Sequence, residues 1–138
     1  METREIIMNH YTSSPYKIKK EDIKDYQKIS VQSDSCIDHL DIFVKIEEDK
    51  IVDGYFEGEA CAIATSSCSI LLKNCINRNF TEIQEFITNF ENMINDCPYN
   101  EKQLDEAIVF REIIRQGNRK SCAYLPYKAL KKILGKEL

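Results

Sequence analysis

The stretch DHLDIFVKIEEDKIVDGYFEGEACAI, residues 38–63, decides the fold. β-Branched and aromatic residues gather in two runs, Asp38 to Ile46 and Lys50 to Phe56, on either side of the polar centre Glu47-Glu48-Asp49. That pattern predicts an antiparallel hairpin. Gly54 lies inside the second run and is expected to mark a bulge, while Gly58 closes the strand. Beyond Gly58 the period lengthens. Cys61 through Cys75 carries Ile63, Ile70 and Leu71 with small residues between them, which predicts a helix.

Upstream of the hairpin, Tyr26 to Gln32 alternates as a short strand, and Arg4 to Tyr11 predicts a helix with Ile6, Ile7 and His10 near one face. Ser13-Ser14-Pro15 breaks that helix, and the lysine- and aspartate-rich segment up to Tyr26 is expected to cross the surface as a loop. Downstream, Thr81 is the expected N-cap of a helix bearing Ile83, Phe86, Ile87, Phe90 and Ile94, which Pro98 follows. A further helix is expected over Glu101–Gln116, with Leu104, Ala107, Ile108 and Ile114 along one side and Gly117 as its stop. A terminal helix carries Leu125, Ala129, Leu130 and Ile133. Its start is expected near Tyr124, because proline at position 126 is best tolerated in a first turn. The order of elements predicts an α+β fold, a small three-stranded antiparallel sheet packed against several helices, in one domain spanning 1–138.

Composition narrows the function classes. The hydrophobic fraction of 43% and the charged fraction of 30% suit a globular domain. A net charge of −4 argues against nucleic acid as the main partner. No run approaches the roughly 20 apolar residues of a membrane span, and the opening Met1-Glu2-Thr3-Arg4-Glu5 is too acidic for a signal peptide. The expected location is the cytoplasm. Six cysteines in a reducing compartment point to metal or thiol chemistry rather than to disulfides.

Four residues form a candidate ligand set: Cys36, Asp38, Cys61 and Cys122. Three thiolates and a carboxylate can complete a tetrahedral shell for zinc or iron, and thiolates are also the groups that accept and pass on sulfur. Cys36 and Asp38, two apart at a strand start, project to one side. Cys61 stands where a strand gives way to a helix, where free N–H groups favour a thiolate. Cys122 is expected just before the terminal helix, with Arg119 and Lys120 adding positive charge. Cys61, Cys68 and Cys75 recur every seven residues, but neighbours on such a ladder are ~10 Å apart along a helix axis. They cannot share one ion, so Cys68 and Cys75 are expected to be inert core thiols and Cys97 incidental.

These residues carry a resemblance. Ile7-Met8-Asn9-His10-Tyr11 with Pro15, Cys36-Ile37-Asp38, Phe56-Glu57-Gly58-Glu59-Ala60-Cys61-Ala62-Ile63 with Ser67 and Ser69, and Arg119-Lys120-Ser121-Cys122-Ala123-Tyr124-Leu125 with Lys128-Ala129-Leu130 stand in the order found in U-type iron–sulfur assembly proteins. The chain resembles that family, IscU, the NifU N-terminal domain and SufU, and most closely its SufU branch. Two details select the branch: the long interval between Cys61 and Cys122, and Ser121 where IscU-type chains carry a histidine. Ile37, Asp34 and Ala60 replace a glycine, a proline and a glycine of the family pattern. The resemblance implies that Cys36, Asp38, Cys61 and Cys122 bind one Zn2+ and that the chain takes persulfide sulfur from a SufS-like cysteine desulfurase. Cys36 is the favoured acceptor and Cys122 the second candidate, and recipient apo iron–sulfur proteins lie downstream. The alternative it implies is a scaffold that assembles a transient [2Fe-2S] cluster on the same residues.

Overall fold

The structure is a computed structural model that describes residues 2–33, 38–113 and 115–137. Its elements run α1 (Thr3–Thr12), β1 (Gln27–Gln32), β2 (His39–Glu47), β3 (Lys50–Glu57), α2 (Ala62–Cys75), β4 (Arg78–Asn79) and α3 (Phe80–Ile94). Two 3₁₀ turns (Glu101–Gln103 and Asp105–Val109), α4 (Phe110–Ile113) and α5 (Asn118–Glu137) complete it. The class is α+β, as the sequence predicts.

The sheet has four strands in the order β1-β2-β3-β4, all neighbours antiparallel, rather than the three expected. The fourth is two residues long and pairs Asn79 and Arg78 with Lys50 and Ile51. Such a strand has no room for an alternating pattern. The other half of the β3 edge is covered by the segment expected to be a plain loop, where Tyr16 accepts a hydrogen bond from the Phe56 N–H at 2.9 Å. The same segment is pinned by Lys20, whose ammonium lies 2.8 Å from the Asp53 carboxylate and 5.2 Å from the centres of the Tyr26 and Tyr55 rings.

The hairpin register shifts between Lys45 and Ile46, leaving Val52 as the extra residue on β3. The bulge is thus two residues before Gly54, which pairs in register with Val44. Gly54 answers to packing instead. A Cβ there would sit 3.1 Å from the Leu72 side chain of α2, so its absence lets the helix settle onto the sheet.

α2 is the central element and packs against α1 and α5, while α5 also packs on β1. Its small residues make that close packing possible, and its buried hydroxyls are all paired. Ser67 donates to the Ala123 carbonyl of α5 at 2.5 Å, and Ser66 to the Ile63 carbonyl. Ser69 meets both Ser14 (2.6 Å) and His10 Nδ1 (2.7 Å), and His10 Nε2 reaches Glu106 at 2.8 Å. That chain of contacts ties α1 to α2 and to the second 3₁₀ turn.

Three boundaries differ from the expectation. The N-cap of α3 is Asn79, not Thr81: its side chain accepts the Glu82 N–H while Glu82 accepts the Asn79 N–H, a reciprocal capping box. The single helix expected over Glu101–Gln116 is two 3₁₀ turns and the short α4, interrupted at Asp105, whose φ is +49°; Ile114 lies outside the described residues. α5 begins at Asn118, six residues before Tyr124, so Pro126 falls in its interior.

Cys68 and Cys75 are fully buried among Ile70, Leu71 and Leu72, as expected of core thiols. Burial pushes Cys75 up to about 12 and Cys68 well above its ordinary range. Raised folded-state values mean that stability is full below the unfolded thiol pKa near 9 and is lost as pH rises beyond it. Stability is expected to fall by about 1.4 kcal/mol per pH unit per thiol above that point. Urea midpoints of reduced protein from pH 8 to 10.5 would show it, and a flat profile would refute the assignment.

Candidate metal centre

Asp38 immediately precedes β2 and is 97% buried. The chain around it is closed from both sides: Ser33 N–H donates to the Asp38 carbonyl at 3.1 Å, and His39 N–H to the Glu59 carbonyl at 2.8 Å. Gly58 makes the second closure possible. It has φ +126° at the end of β3, and a Cβ there would stand 2.1 Å from the His39 carbonyl oxygen. Ala60, in place of the family's glycine, is not among the described residues with positive φ, so its Cβ is accommodated without left-handed strain.

Cys61 is the N-cap of α2, where its sulfur accepts the Ala64 N–H at 3.4 Å. Its own N–H donates to Asp38 Oδ1 at 2.8 Å. The carboxylate therefore fixes the cysteine's backbone with one oxygen and keeps Oδ2 for the site. The third arm comes from α5. Cys122 is buried and donates to Asp38 Oδ2 at 3.5 Å. One ligand atom from each of Asp38, Cys61 and Cys122 lies within 4.8 Å of the other two.

The expectation for Cys122 needs correction. It is the fifth residue of α5 rather than a residue before it, so its amide is beyond the free N–H groups of the first turn. Arg119 is exposed and does not hold it ionised. Burial pushes the Cys122 thiol up to about 12, and the negative charges of Cys61 and Asp38 push the same way. Potentially anionic donors therefore crowd around a thiol that the pocket disfavours as an anion. A cation resolves that conflict.

The donor set fits zinc. Zn–S distances near 2.3 Å and Zn–O distances of about 2.0–2.2 Å put tetrahedral ligands ~3–4 Å from one another, within the span observed. The set shown consists of Asp38, Cys61 and Cys122; the fourth expected member, Cys36, lies outside the described residues, as do Asp34 and Ile37. Cys68 and Cys75 are in the core and Cys97 is exposed on the turn after α3, none of them with this group.

A groove of about 710 Å³ opens onto the two thiols. Ile7 and Met8 of α1, Ile63 of α2 and Ile113 of α4 wall it, and Arg4 and Arg119 stand at its sides. Sequence reasoning placed α1 by its buried face alone. The spacing of Arg4 and Met8 was the available signal for a second face, but which helix it would meet is settled only by tertiary packing.

Comparison with known proteins agrees with this geometry. The chain is 28% identical over 135 residues to the iron–sulfur cluster assembly scaffold protein IscU of Thermotoga maritima, covering 96% of this chain and 92% of that one. It is 25% identical over 135 residues to the zinc-dependent sulfurtransferase SufU of Bacillus subtilis, covering 97% and 90%. A crystal structure from Fervidobacterium islandicum AW-1, described as an iron–sulfur cluster assembly scaffold protein for the SUF system, superposes with a TM-score of 0.85 at 29% identity over 94% of both chains. The family described as NifU-like N terminal domain matches residues 2–122. With the four-stranded sheet, the cysteine-capped α2 and the carboxylate between two thiols all in place, the chain belongs to the NifU-like N-terminal domain family of iron–sulfur cluster assembly proteins.

Proposed function

We propose that the protein is a zinc-binding sulfur acceptor and transfer protein, taking persulfide sulfur from a SufS-like cysteine desulfurase in the cytoplasm and passing it on for the assembly of iron–sulfur proteins. The observation that carries this reading is the convergence of Asp38, Cys61 and Cys122 from three different elements on one point. Cys36 would complete the set and act as the acceptor, with Cys122 second. A zinc ion held there would keep the thiols ionised and shielded from oxidation until one is needed.

The chain's own residues shape the exchange. Asp38 has Oδ1 committed to the Cys61 amide, which leaves Oδ2 as a single, weakly donating ligand position. Cys61 is held as the helix cap and is suited to stay in place. The 61 residues from Cys61 to Cys122 and the exposed Ser121 beside Cys122 support the SufU branch of the resemblance over a histidine-bearing scaffold.

The test is anaerobic purification with assay of zinc, iron and sulfide, followed by turnover of the cognate cysteine desulfurase with and without the protein. One zinc per chain and a stimulation that Cys36→Ala removes are expected. Stoichiometric iron and sulfide without stimulation would overturn transfer in favour of a [2Fe-2S] scaffold; the Thermotoga relative is named an iron–sulfur cluster assembly scaffold protein.

A further inference from the structure

The groove beside the thiols carries chemistry that a metal site alone does not use. Its walls are apolar, and among the described residues the charged side chains that line it are Arg4 from α1 and Arg119 from α5, with no carboxylate. In a chain of net charge −4 that is a local reversal of sign. Among the described residues neither guanidinium has an ion-pair or hydrogen-bond partner, the Arg119 backbone N–H alone donating to the Gln116 carbonyl, so both guanidinium groups are available to an anion. The volume of about 710 Å³ falls in the range of small-molecule pockets. Cys61 and Cys122 line the same groove, so an occupant that pairs its anionic end with the arginines can present its other end to sulfur.

We propose that this groove is a subsite for a low-molecular-weight thiol bearing a carboxylate, which carries sulfane sulfur away from the centre. This rests on the sulfur-transfer reading above. In the step, the small molecule's thiolate attacks the outer sulfur of the protein persulfide. A new S–S bond forms to that sulfur, which keeps its proton. The S–S bond to the protein breaks, and its electron pair leaves on the protein as a thiolate. One S–S bond replaces another, and no external oxidant or reductant is consumed. The arginines hold the carboxylate, and Ile7, Met8, Ile63 and Ile113 take up the carbon chain.

Binding is tested first without any sulfur donor, on the zinc-loaded full chain, using the unreactive thioether 3-(methylthio)propionate and its cationic counterpart 2-(methylthio)ethylamine. Saturable amide shifts at Arg4, Ile63 and Arg119 are expected with the carboxylate and not with the amine. Affinity should be about tenfold weaker in Arg4→Ala or Arg119→Ala and unchanged in Lys24→Ala, an exposed cation outside the groove. Absence of saturation, equal binding of the amine, or indifference to both arginine substitutions would overturn the proposal. The second arm loads the protein chemically with inorganic polysulfide and follows sulfane transfer. Transfer to 3-mercaptopropionate should saturate and fall about tenfold in Arg4→Ala, whereas transfer to neutral 2-mercaptoethanol should rise linearly and ignore that change. A linear dependence for both thiols would also overturn it. Neither arm uses the desulfurase, so failure of desulfurase stimulation and failure of the subsite are separate results.

Discussion

Cys122→Ala is expected to weaken zinc binding by about two to three orders of magnitude while the protein remains folded. The size follows from dividing ~10–16 kcal/mol for a structural-type zinc site among four ligands, about 2.5–4 kcal/mol each. The fold survives because the removed group is a small side chain at the end of the core, where a truncation costs ~1–2 kcal/mol. Cys68→Ala is the matched control. It removes a more deeply buried sulfur from α2 and should cost at least as much stability, with no change in zinc affinity. Competition with a chromophoric chelator distinguishes the two. Zinc loss in Cys68→Ala, or full retention in Cys122→Ala, would show that the ligands have been grouped wrongly.

Gly58→Ala is expected to be more damaging than any single cysteine change, although residue 58 holds no ligand. A methyl group there would meet the His39 carbonyl oxygen at 2.1 Å, and the backbone has a φ of +126° that alanine strongly disfavours. The clash can be relieved only by separating β3 from the start of β2. That breaks the His39-to-Glu59 bond and moves Asp38 away from the Cys61 amide. A loss of about 3 kcal/mol or more is expected, and zinc affinity should fall with it. Urea unfolding and chelator competition on the same samples would test the coupling. A variant that lost stability but kept its affinity would show that the two strands do not set the site.

The hairpin and α2 were legible because β-branched and aromatic residues gather in two runs around a polar centre and the apolar spacing then lengthens beyond Gly58. The short β4 was not, since two residues can show no period. The region after Pro98 misled for a different reason. Leu104, Ala107 and Ile108 sit at spacings that a helix and successive 3₁₀ turns both satisfy, and only the positive φ of Asp105 separates the two. At α3 both Asn79 and Thr81 are capping residues, and the reciprocal bond with Glu82 selects the first.

The start of α5 was misplaced by trusting the local cost of an interior proline, ~3 kcal/mol, which packing against α2 and β1 overrides. Within the site, residue chemistry and the order of motifs pointed to Asp38, Cys61 and Cys122. What the sequence could not show was that Asp38 divides its two oxygens between a backbone and a thiol. Nor could it show that α1 would bring Arg4 and Met8 over them, since both depend on distant elements meeting.

Pro126 has a mechanical meaning as well as an energetic one. Position 126 is one helical turn beyond Cys122, and proline has no N–H to offer the Cys122 carbonyl. The turn that presents this thiol is therefore joined to the remainder of its helix by one rung fewer than its neighbours. Side-chain contacts hold it as well: the Ser67 hydroxyl on the adjacent Ala123 carbonyl, the thiol's own contact with Asp38, Lys120 on Asn95 and Tyr124 on Glu91. The third candidate donor of the centre is thus seated by side chains of other elements where its own helix lacks a backbone rung.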